Sequence, residues 1–473
     1  QNNNWTSEFH SSSSYSQFAC SMGGIASYLF GAPMEIGDEE QVSLLNLVNP
    51  DHFDRNVNPS VIWQQMLQRL QTHPEEAAAY ARSIDASPLY RAMMLAQSRN
   101  TTVPVDLVRV FLEAYDEVAF DTPESGESIL FLATYGASLD VNHDNNDALE
   151  TVKLLMQYNP DAVAQQTRAS KMLPLHHVRS DPDIATILLD AYPQGSITKD
   201  LAGRLPLHHC CSGNHVRQQT NVEQDAQNEP AEDEQNEDSS PPPLSLLHPA
   251  VVAQLIMACK QQGLSDGGIL SKDCEGKTPL DLLCQEIGCE LNADHGAEAT
   301  PESSFRIATL WESLVTMVQT VSDQEKEAVF RMVHAVIELS CSPTIVAHAL
   351  KLHPQQAAER DSKGCTPLML AALSLDTVHP GVICTLLKFY PEAACMTDND
   401  GRLPIDIIAE SSKYDEELWE ALVKAEPRAI DTRDLRDKMF PFMTAAIGDK
   451  SNMNNVYRLL RSKPHVLSYF NLE

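Results

Sequence analysis

The hydrophobic positions of this chain recur in two alternating patterns. The first is a short phrase in which Pro-Leu or Pro-Ile is followed by apolar residues at helical spacing, as in TPLMLAA from Thr366 and LPIDIIA from Leu403. The second is a longer apolar run that ends in a proline and small residues, as in LLKFYPEAA and LVKAEPRAI. The alternation predicts a short helix followed by a longer helix, repeated along the chain.

The two patterns keep a common period. LPLHH occurs twice, and its prolines Pro174 and Pro206 are 32 residues apart. Later copies place Pro367, Pro404 and Pro441 at intervals of 37 residues. The prolines of the second pattern follow a similar period and are Pro74, Pro160, Pro193, Pro354, Pro391, Pro427 and Pro464. Because one period joins two different phrases over most of the chain, the sequence predicts an internal repeat.

Backbone preferences explain the form of one unit. Proline in the first helical turn costs little, because the N–H that it lacks would have no partner there. A hydroxyl that can cap the helix precedes this proline at Ser87, Thr278 and Thr366, whereas leucine stands there at Leu173, Leu205 and Leu403. The proline after the second helix ends it, and a polar stretch follows whose last glycine allows a turn with positive φ. This predicts turns at Gly203, Gly276, Gly364 and Gly401.

These units resemble ankyrin repeats, whose consensus of about 33 residues carries T-P-L-H-x-A. KGCTPLMLAAL at residues 363–373 matches closely. The usual Gly-Ala after the second helix is replaced by Tyr-Pro or x-Pro with small residues, and in this the chain resembles ankyrin-like repeat families of diatoms and related algae. The resemblance implies an all-α fold, an α-solenoid of about nine to ten stacked helix-turn-helix repeats with short turns on one edge.

The period also divides the chain. Residues 1–40 are expected to form a disordered tail with an apolar patch at 25–30. Repeats are expected over 41–215 and 244–473, and between them 216–243 reads as a disordered acidic insertion with eight acids and no Lys or Arg between 220 and 240. The alternative for this insertion is docking to a basic partner, with Ser239 and Ser240 open to phosphorylation. A second polar insertion is expected near 290–303.

Three units are degenerate. The first, over residues 42–79, is expected to cap the array, and Ser128-Ile129-Leu130 starts a copy that has lost its proline. Residues 322–325 read as a capping box and predict a helix through residue 339, followed by a second helix over 344–352. Trp311 is expected in the second helix of the preceding unit. The last helix, over 454–461, closes the array.

Composition narrows the function. Lys plus Arg is 34 and Asp plus Glu is 66, so the formal net charge is −32, which disfavours binding to nucleic acid and to anionic membranes. No run of 18 apolar residues occurs, so no membrane insertion is expected. Eleven cysteines without a CxxC pair indicate reduced thiols and an intracellular, reducing compartment such as cytoplasm or nucleus. An organelle stays open, because a first residue of Gln suggests a processed or incomplete N-terminus.

The one concentration of chemical groups is GRLPLHHCC, at residues 203–211. A metal site or an enzyme using His176, His208 and the nearby cysteines is the alternative reading, because zinc is held by three or four such ligands. Successive helical residues point about 100° apart, so neighbouring histidines do not easily bind one ion. In ankyrin repeats the first histidine braces the turns, and we expect this role here, with the cysteines as packing.

No other catalytic or cofactor motif stands out. Asp398-Asn399-Asp400-Gly401 has part of a calcium-loop pattern but coincides with the repeat turn. Motifs of nucleophile elbows, metalloproteases and nucleotide-binding loops do not occur. The sequence therefore predicts a protein without catalytic residues or cofactors.

Recognition of another protein remains as the predicted function. An array of this kind presents side chains along its turns and concave face, and its turn segments are rich in basic residues. The candidate partner-binding residues are Arg168, Lys171, Lys199, Arg204, Lys272, Lys363, Arg402, Arg433, Arg436 and Lys438. The alternative is that these residues pair with neighbouring acids such as Asp200, Asp361 and Asp434. A scaffold or adaptor is expected, with a structural subunit of a larger assembly as the alternative; the partner and the oligomeric state stay open.

Overall fold

The regular structure of the described chain is helical. The computed structural model describes residues 44, 58–79, 86–99, 101–123, 126–139, 147–212, 247–293, 301–322, 330–409, 416–433, 438–447, 451 and 453–469. No strand occurs in these ranges, which confirms the all-α prediction. The predicted tail over 1–40, its apolar patch at 25–30, and the acidic insertion over 216–243 with Ser239 and Ser240 lie outside the described residues.

The described residues divide into two compact units, with the boundary between Pro206 and Leu207. The helices of unit 1 are α1 (Pro59–Thr72), α2 (Glu75–Ala79), α3 (Pro88–Ser98), α4 (Val105–Ala114), α5 (Ile129–Leu139), α6 (Asp147–Tyr158) and α7 (Pro182–Ala191). A 3₁₀ turn, Pro174–His177, stands between α6 and α7 in place of a short α-helix. It ends early because Pro182 already starts the next helix five residues later.

Unit 2 continues the alternation of first and second helices. Its helices are α8 (Pro206–Cys211), α9 (Pro249–Gln261), α10 (Pro279–Ala293), α11 (Pro301–Val321), α12 (Met332–Glu338), α13 (Pro343–Leu352), α14 (Pro367–Leu373), α15 (Gly381–Phe389), α16 (Pro404–Ala409), α17 (Glu416–Ala425), α18 (Pro441–Ala446) and α19 (Met453–Ser462). The predicted second helices over 344–352 and 454–461 agree with α13 and α19 to within a residue or two. Trp311 lies in α11, as expected.

The predicted hydroxyl caps are present. The backbone N–H of Tyr90 donates to Ser87 Oγ at 3.1 Å, and the N–H of Asp281 donates to Thr278 Oγ1 at the same distance. Ser128 also caps α5 without a following proline, since its Oγ accepts from the N–H of Phe131 at 3.2 Å. A hydroxyl at this position is therefore sufficient to start the helix when the proline is lost.

Helices of one kind pack on helices of the same kind within each unit. In unit 1, α3 packs on α5, and α4 packs on both α1 and α6. In unit 2, the first helices α12, α14, α16 and α18 pack in succession, and so do the second helices α13, α15 and α17. Each layer buries one stripe, as α15 does with Val382, Ile383 and Leu386. Burial of such stripes is the main term that stabilises short helices.

The proline after a second helix does more than end it. It begins a 3₁₀ turn in five copies, which are Pro160–Ala164, Pro193–Ile197, Pro354–Ala357, Pro391–Cys395 and Pro464–Tyr469. Its missing N–H has no partner at the first position of such a turn, so proline is accepted there. Small buried residues follow, such as Ala162, Ser196 and Ala393. The small residues of the second phrase thus pack the 3₁₀ turn against the helices.

One prediction of the degenerate region is wrong, namely a continuous helix from Ser322 through residue 339. Ser322 follows the end of α11, where its N–H donates to the carbonyl of Val318. The next described helix, α12, begins at Met332, after non-helical Phe330 and Arg331. Helix α10 runs to Ala293 and α11 begins at Pro301, so helices cover the two ends of the polar stretch expected near 290–303, and its middle lies outside the described residues.

An ion pair stabilises the helix ends on the two sides of this polar stretch. Arg306 Nη2 donates to Glu290 Oε1 at 2.7 Å, and both side chains are mostly buried. Charge pairing of this kind joins the ends of α10 and α11 and makes helical structure favourable for residues that looked too polar to pack.

Candidate functional site

Four turns between successive helix pairs share one arrangement of hydrogen bonds. In one of them, the N–H of Asp361 donates to the carbonyl of Cys365 at 2.9 Å, and the N–H of Gly364 donates back to Asp361 at 3.0 Å. The carboxylate Oδ1 of Asp361 accepts from the N–H groups of Lys363 and Cys365 at 2.9 and 2.7 Å. The same backbone pair and the same use of a carboxylate oxygen recur at Asp200, Asp273 and Asp398.

The glycine of each turn has the predicted positive φ. Its value is 74°, 80°, 78° and 82° at Gly203, Gly276, Gly364 and Gly401. Lysine occupies the same position in two other turns, with φ of 59° at Lys171 and 61° at Lys438. A side chain in this region costs about 1–2 kcal/mol, so these two candidate residues hold strained positions.

The third residue of a first helix often bonds back to the residue before the helix. His176 Nδ1 accepts from the N–H of Leu173 at 3.0 Å, and Asp406 Oδ2 accepts from the N–H of Leu403 at the same distance. The copies that carry leucine in place of a hydroxyl cap therefore satisfy a backbone donor from within the helix. This accounts for the histidine and the aspartate in these two copies, whereas methionine stands at the same position in others, such as Met369.

His208 braces a turn, as predicted. Its side chain is fully buried, and Nε2–H donates to the carbonyl oxygen of Ser271 at 3.0 Å. His334 also bonds to a turn carbonyl, from Nε2–H to Cys365 at 3.2 Å, although this acceptor follows the turn aspartate whereas Ser271 precedes it. Burial lowers the pKa of His334, so the neutral ring is the stable form at neutral pH. Sequence reasoning missed His334, although aligning RMVH with LPLH would have identified it.

The His/Cys phrase does not build a metal site among the residues described. Cys210 and Cys211 are buried, and His177 lies edge-on to Phe131 and Tyr135, with ring centroids 4.4 and 5.0 Å away. Within the described ranges, no three His, Cys, Asp or Glu side chains converge as metal ligands would. Aromatic and core packing accounts for these positions.

Two other cysteines have pKa values that make them poor nucleophiles. The Sγ atoms of Cys284 and Cys341 are 3.8 Å apart, and this hydrogen bond, together with burial, raises the pKa of Cys284 well above its usual value. Cys395 Sγ donates to Glu426 Oε2 at 2.7 Å, and partial burial with this bond raises its pKa to about 11. Thiol catalysis needs the opposite shift.

The calcium-like phrase is a repeat turn. Asp398 Oδ1 accepts from the N–H groups of Asp400 and Arg402, and its Oδ2 accepts from Arg402 Nε at 2.8 Å. Both carboxylate oxygens are therefore used within the turn, and the guanidinium of Arg402 supplies the positive charge that a bound cation would supply.

Most of the predicted partner-binding residues are exposed. Those exposed without an ion pair to any described residue are Arg168, Lys171, Lys199, Lys272, Lys363 and Lys438. Arg204 is half-buried, Arg402 pairs with Asp398, and Arg433 lies over the ring of Phe440 at 4.7 Å. Arg436 and Asp434 lie outside the described residues. The expected pairing with Asp361 is wrong, because its Oδ1 accepts backbone N–H groups and no lysine or arginine side chain of the described chain pairs with it.

Arg360 is a turn residue that the sequence reasoning left out. Its Nη1 donates to the carbonyl of Gly364 at 3.2 Å and also to the carbonyl of Thr397 in the next turn. It precedes the turn aspartate, as Lys199 and Lys272 do, and this equivalence was the available signal. Its bonds connect two successive turns along their edge.

Comparison with known proteins assigns no family to this chain. The chain matches no family model and no curated protein sequence. Every helix in the described ranges is too short or too polar to cross a lipid bilayer.

Proposed function

We propose that the chain is an ankyrin-type α-solenoid that acts as a non-catalytic scaffold for another protein. The recurrence of one turn design, at Asp200, Asp273, Asp361 and Asp398, supports the repeat interpretation. The packing of first helices on first helices and second on second supports stacking of the repeats. Repeat arrays of this kind carry function through the side chains of their turns and concave face.

The binding proposal rests on the exposure of the lysines beside the repeat turns and on their charge. Lys272 and Lys363, both in unit 2, are exposed beside turns whose aspartates accept backbone N–H groups. Neither lysine makes an ion pair with a described residue. Exposed cations without partners in a chain of net charge −32 form a local basic edge that suits an acidic segment of a partner protein.

A charge-reversal experiment tests this proposal. The variant Lys272→Glu/Lys363→Glu is compared with a control, Arg109→Glu/Lys260→Glu, which changes the net charge equally through exposed residues on helices. Affinity capture from the source cell with quantitative mass spectrometry should show partners that the first variant loses and the control retains. Circular dichroism checks that both fold. Equal capture by both variants would refute the turn edge as the binding site.

One observation favours the alternative of a structural subunit. The last helix pair of unit 2 exposes four large apolar side chains, namely Ile447 at 59 %, Met453 at 73 %, Tyr457 at 63 % and Leu467 at 46 %. Several large apolar side chains exposed close together in the chain are typical of a face that packs on another protein. Light scattering of the purified chain, beside Met453→Lys/Tyr457→Lys, tests for self-association through this face; a wild-type monomer would exclude the homo-oligomeric form of this alternative.

A further inference from the structure

A second row of cations follows the second helices near the end of unit 2. Lys351, Lys388, Lys424 and Arg461 each stand three residues before the proline that follows the helix, at intervals of 37, 36 and 37 residues. They lie in the last turn of α13, α15, α17 and α19. All four are exposed, and none makes an ion pair with a described residue, even though Glu420 precedes Lys424 by one turn. We call these four residues the cation column.

The helix dipole alone does not account for the cation column. A basic residue in the last turn of a helix is favoured by the partial negative charge there. The same position before the proline in unit 1 is occupied by Gln71, Gln157 and Asp190, all exposed. Second helices of the same design therefore form without a cation, and with an anion in one case. Arg69 and Lys260 also lie in the last turns of α1 and α9, but a cation three residues before the proline occurs in the last four helix pairs and not in these unit 1 copies.

Large exposed apolar side chains follow two of the four cations. Leu352 and Phe389 directly follow Lys351 and Lys388, and they are 48 % and 43 % exposed. The equivalent residues in unit 1 are Thr72, Tyr158 and Ala191. Cations beside exposed leucine and phenylalanine suit a polypeptide, which offers carboxylates and apolar groups together, better than they suit a sugar-phosphate backbone.

The spacing of the cation column limits the shape of the partner. The helices α13, α15 and α17 pack side by side, and packed helices lie about 8–10 Å apart. The final helix pair is joined to the preceding helix pair of unit 2 by an ion pair, in which Lys463 Nζ lies 3.2 Å from Asp431 Oδ2. In a polyproline II segment three residues advance the chain by roughly 9 Å. An extended segment with an acid at every third residue therefore meets one cation per repeat.

We propose that the cation column binds an extended acidic segment of a partner protein, with Asp or Glu at about every third position and apolar residues between. This surface is additional to the turn edge of the proposed function and does not depend on it. A charge of −32 on the chain repels long polyanions, so four cations hold a short segment and not a nucleic acid or an anionic membrane.

The test uses the full chain and two fluorescein-labelled peptides of one composition. In the first peptide Glu recurs at every third position among Pro and Leu, and in the second the four Glu residues are adjacent. Fluorescence anisotropy at low salt should show tighter binding of the first peptide. The variant Lys351→Glu/Lys388→Glu/Lys424→Glu should weaken it about tenfold, since exposed charge pairs contribute modestly and additively. The variant Lys351→Gln/Lys388→Gln/Lys424→Gln removes the three charges without reversing them and should weaken peptide binding less. A loss that is graded with charge in this way indicates that the lost charges, and not unfolding, weaken the binding.

The matched control is Lys199→Glu/Lys272→Glu/Lys363→Glu, which contains both turn-edge lysines and changes the net charge equally. It should bind the peptide like the wild type, so failure of the turn edge and failure of the cation column are distinguishable. Equal weakening by both variants would mean that the peptide senses only overall charge and would overturn the proposal. So would equal binding of the two peptides, or tighter binding of duplex DNA or phosphatidylserine vesicles through the same residues.

Discussion

Replacement of Gly364 by alanine tests whether successive turns touch as repeat stacking requires. Gly364 has a φ of 78°, and a Cβ built on it would overlap the side-chain amide of Asn399, which belongs to the next turn. Gly276 has nearly the same φ of 80°, but no atom lies within 4 Å of its Cβ position. The two glycines thus share backbone strain and differ in one contact, so Gly276→Ala is a matched control.

The magnitudes follow from these two differences. A non-glycine residue with positive φ costs about 1–2 kcal/mol, and alanine recovers about 0.4–1 kcal/mol by restricting the unfolded chain, so Gly276→Ala should lose about 1 kcal/mol. Gly364→Ala should lose about 1 kcal/mol more, because the exposed Asn399 side chain must leave its rotamer. In an Asn399→Ala background this extra loss should disappear, which gives a coupling energy of about 1 kcal/mol.

Urea denaturation followed by circular dichroism measures the four variants. The double-mutant cycle of Gly364→Ala with Asn399→Ala is the decisive measurement. The backbone strain of alanine at residue 364 is the same with and without Asn399, so it cancels out of the coupling energy. A coupling of zero, or equal losses at Gly276 and Gly364, would refute the contact between neighbouring turns.

Three further predictions concern buried and strained groups. Burial holds the pKa of His334 below 6.5, so the free energy of unfolding should fall as pH drops below about 6.5 towards the folded pKa, and His334→Gln should flatten this slope in urea titrations at several pH values. Alkylation of the exposed Cys395 by iodoacetamide should be slow at pH 8, because little thiolate is present, and mass spectrometry should show it accelerating up to pH about 11. Lys171→Gly should raise the free energy of unfolding by about 0.5 kcal/mol in urea titrations, because relief of positive φ exceeds the entropy cost of glycine.

Features that depend on one residue and its immediate backbone were predictable from the sequence. The positive φ of Gly203 and Gly401 and the cap made by Ser87 follow from steric and hydrogen-bonding rules that act over three or four residues. The bracing bond of His208 was predictable only through the family resemblance. Its acceptor, Ser271, is 63 residues away, and no local rule selects it.

Features that depend on distant partners were not predictable. Residues 290–293 looked like a polar insertion, yet Glu290 pairs with Arg306 across two helices. Ser322 looked like a helix start, because its sequence fits a capping box, but α11 had already used its backbone N–H. The partner-binding candidates were chosen by charge alone, which does not separate exposed Lys363 from Arg402 held by Asp398.

The repeat design separates positions that hold the fold from positions that are open to function. Losing the charged acceptor of a turn, such as Asp361, leaves backbone donors without a partner and costs about 1–3 kcal/mol. An exposed substitution in the last turn of a second helix changes stability by about 0.5 kcal/mol or less. The position of the cation column is therefore free to carry Gln71, Asp190 or Lys388 in helices of one design. Because stability does not dictate its charge there, the run of four cations in unit 2 supports the proposal that this position serves binding.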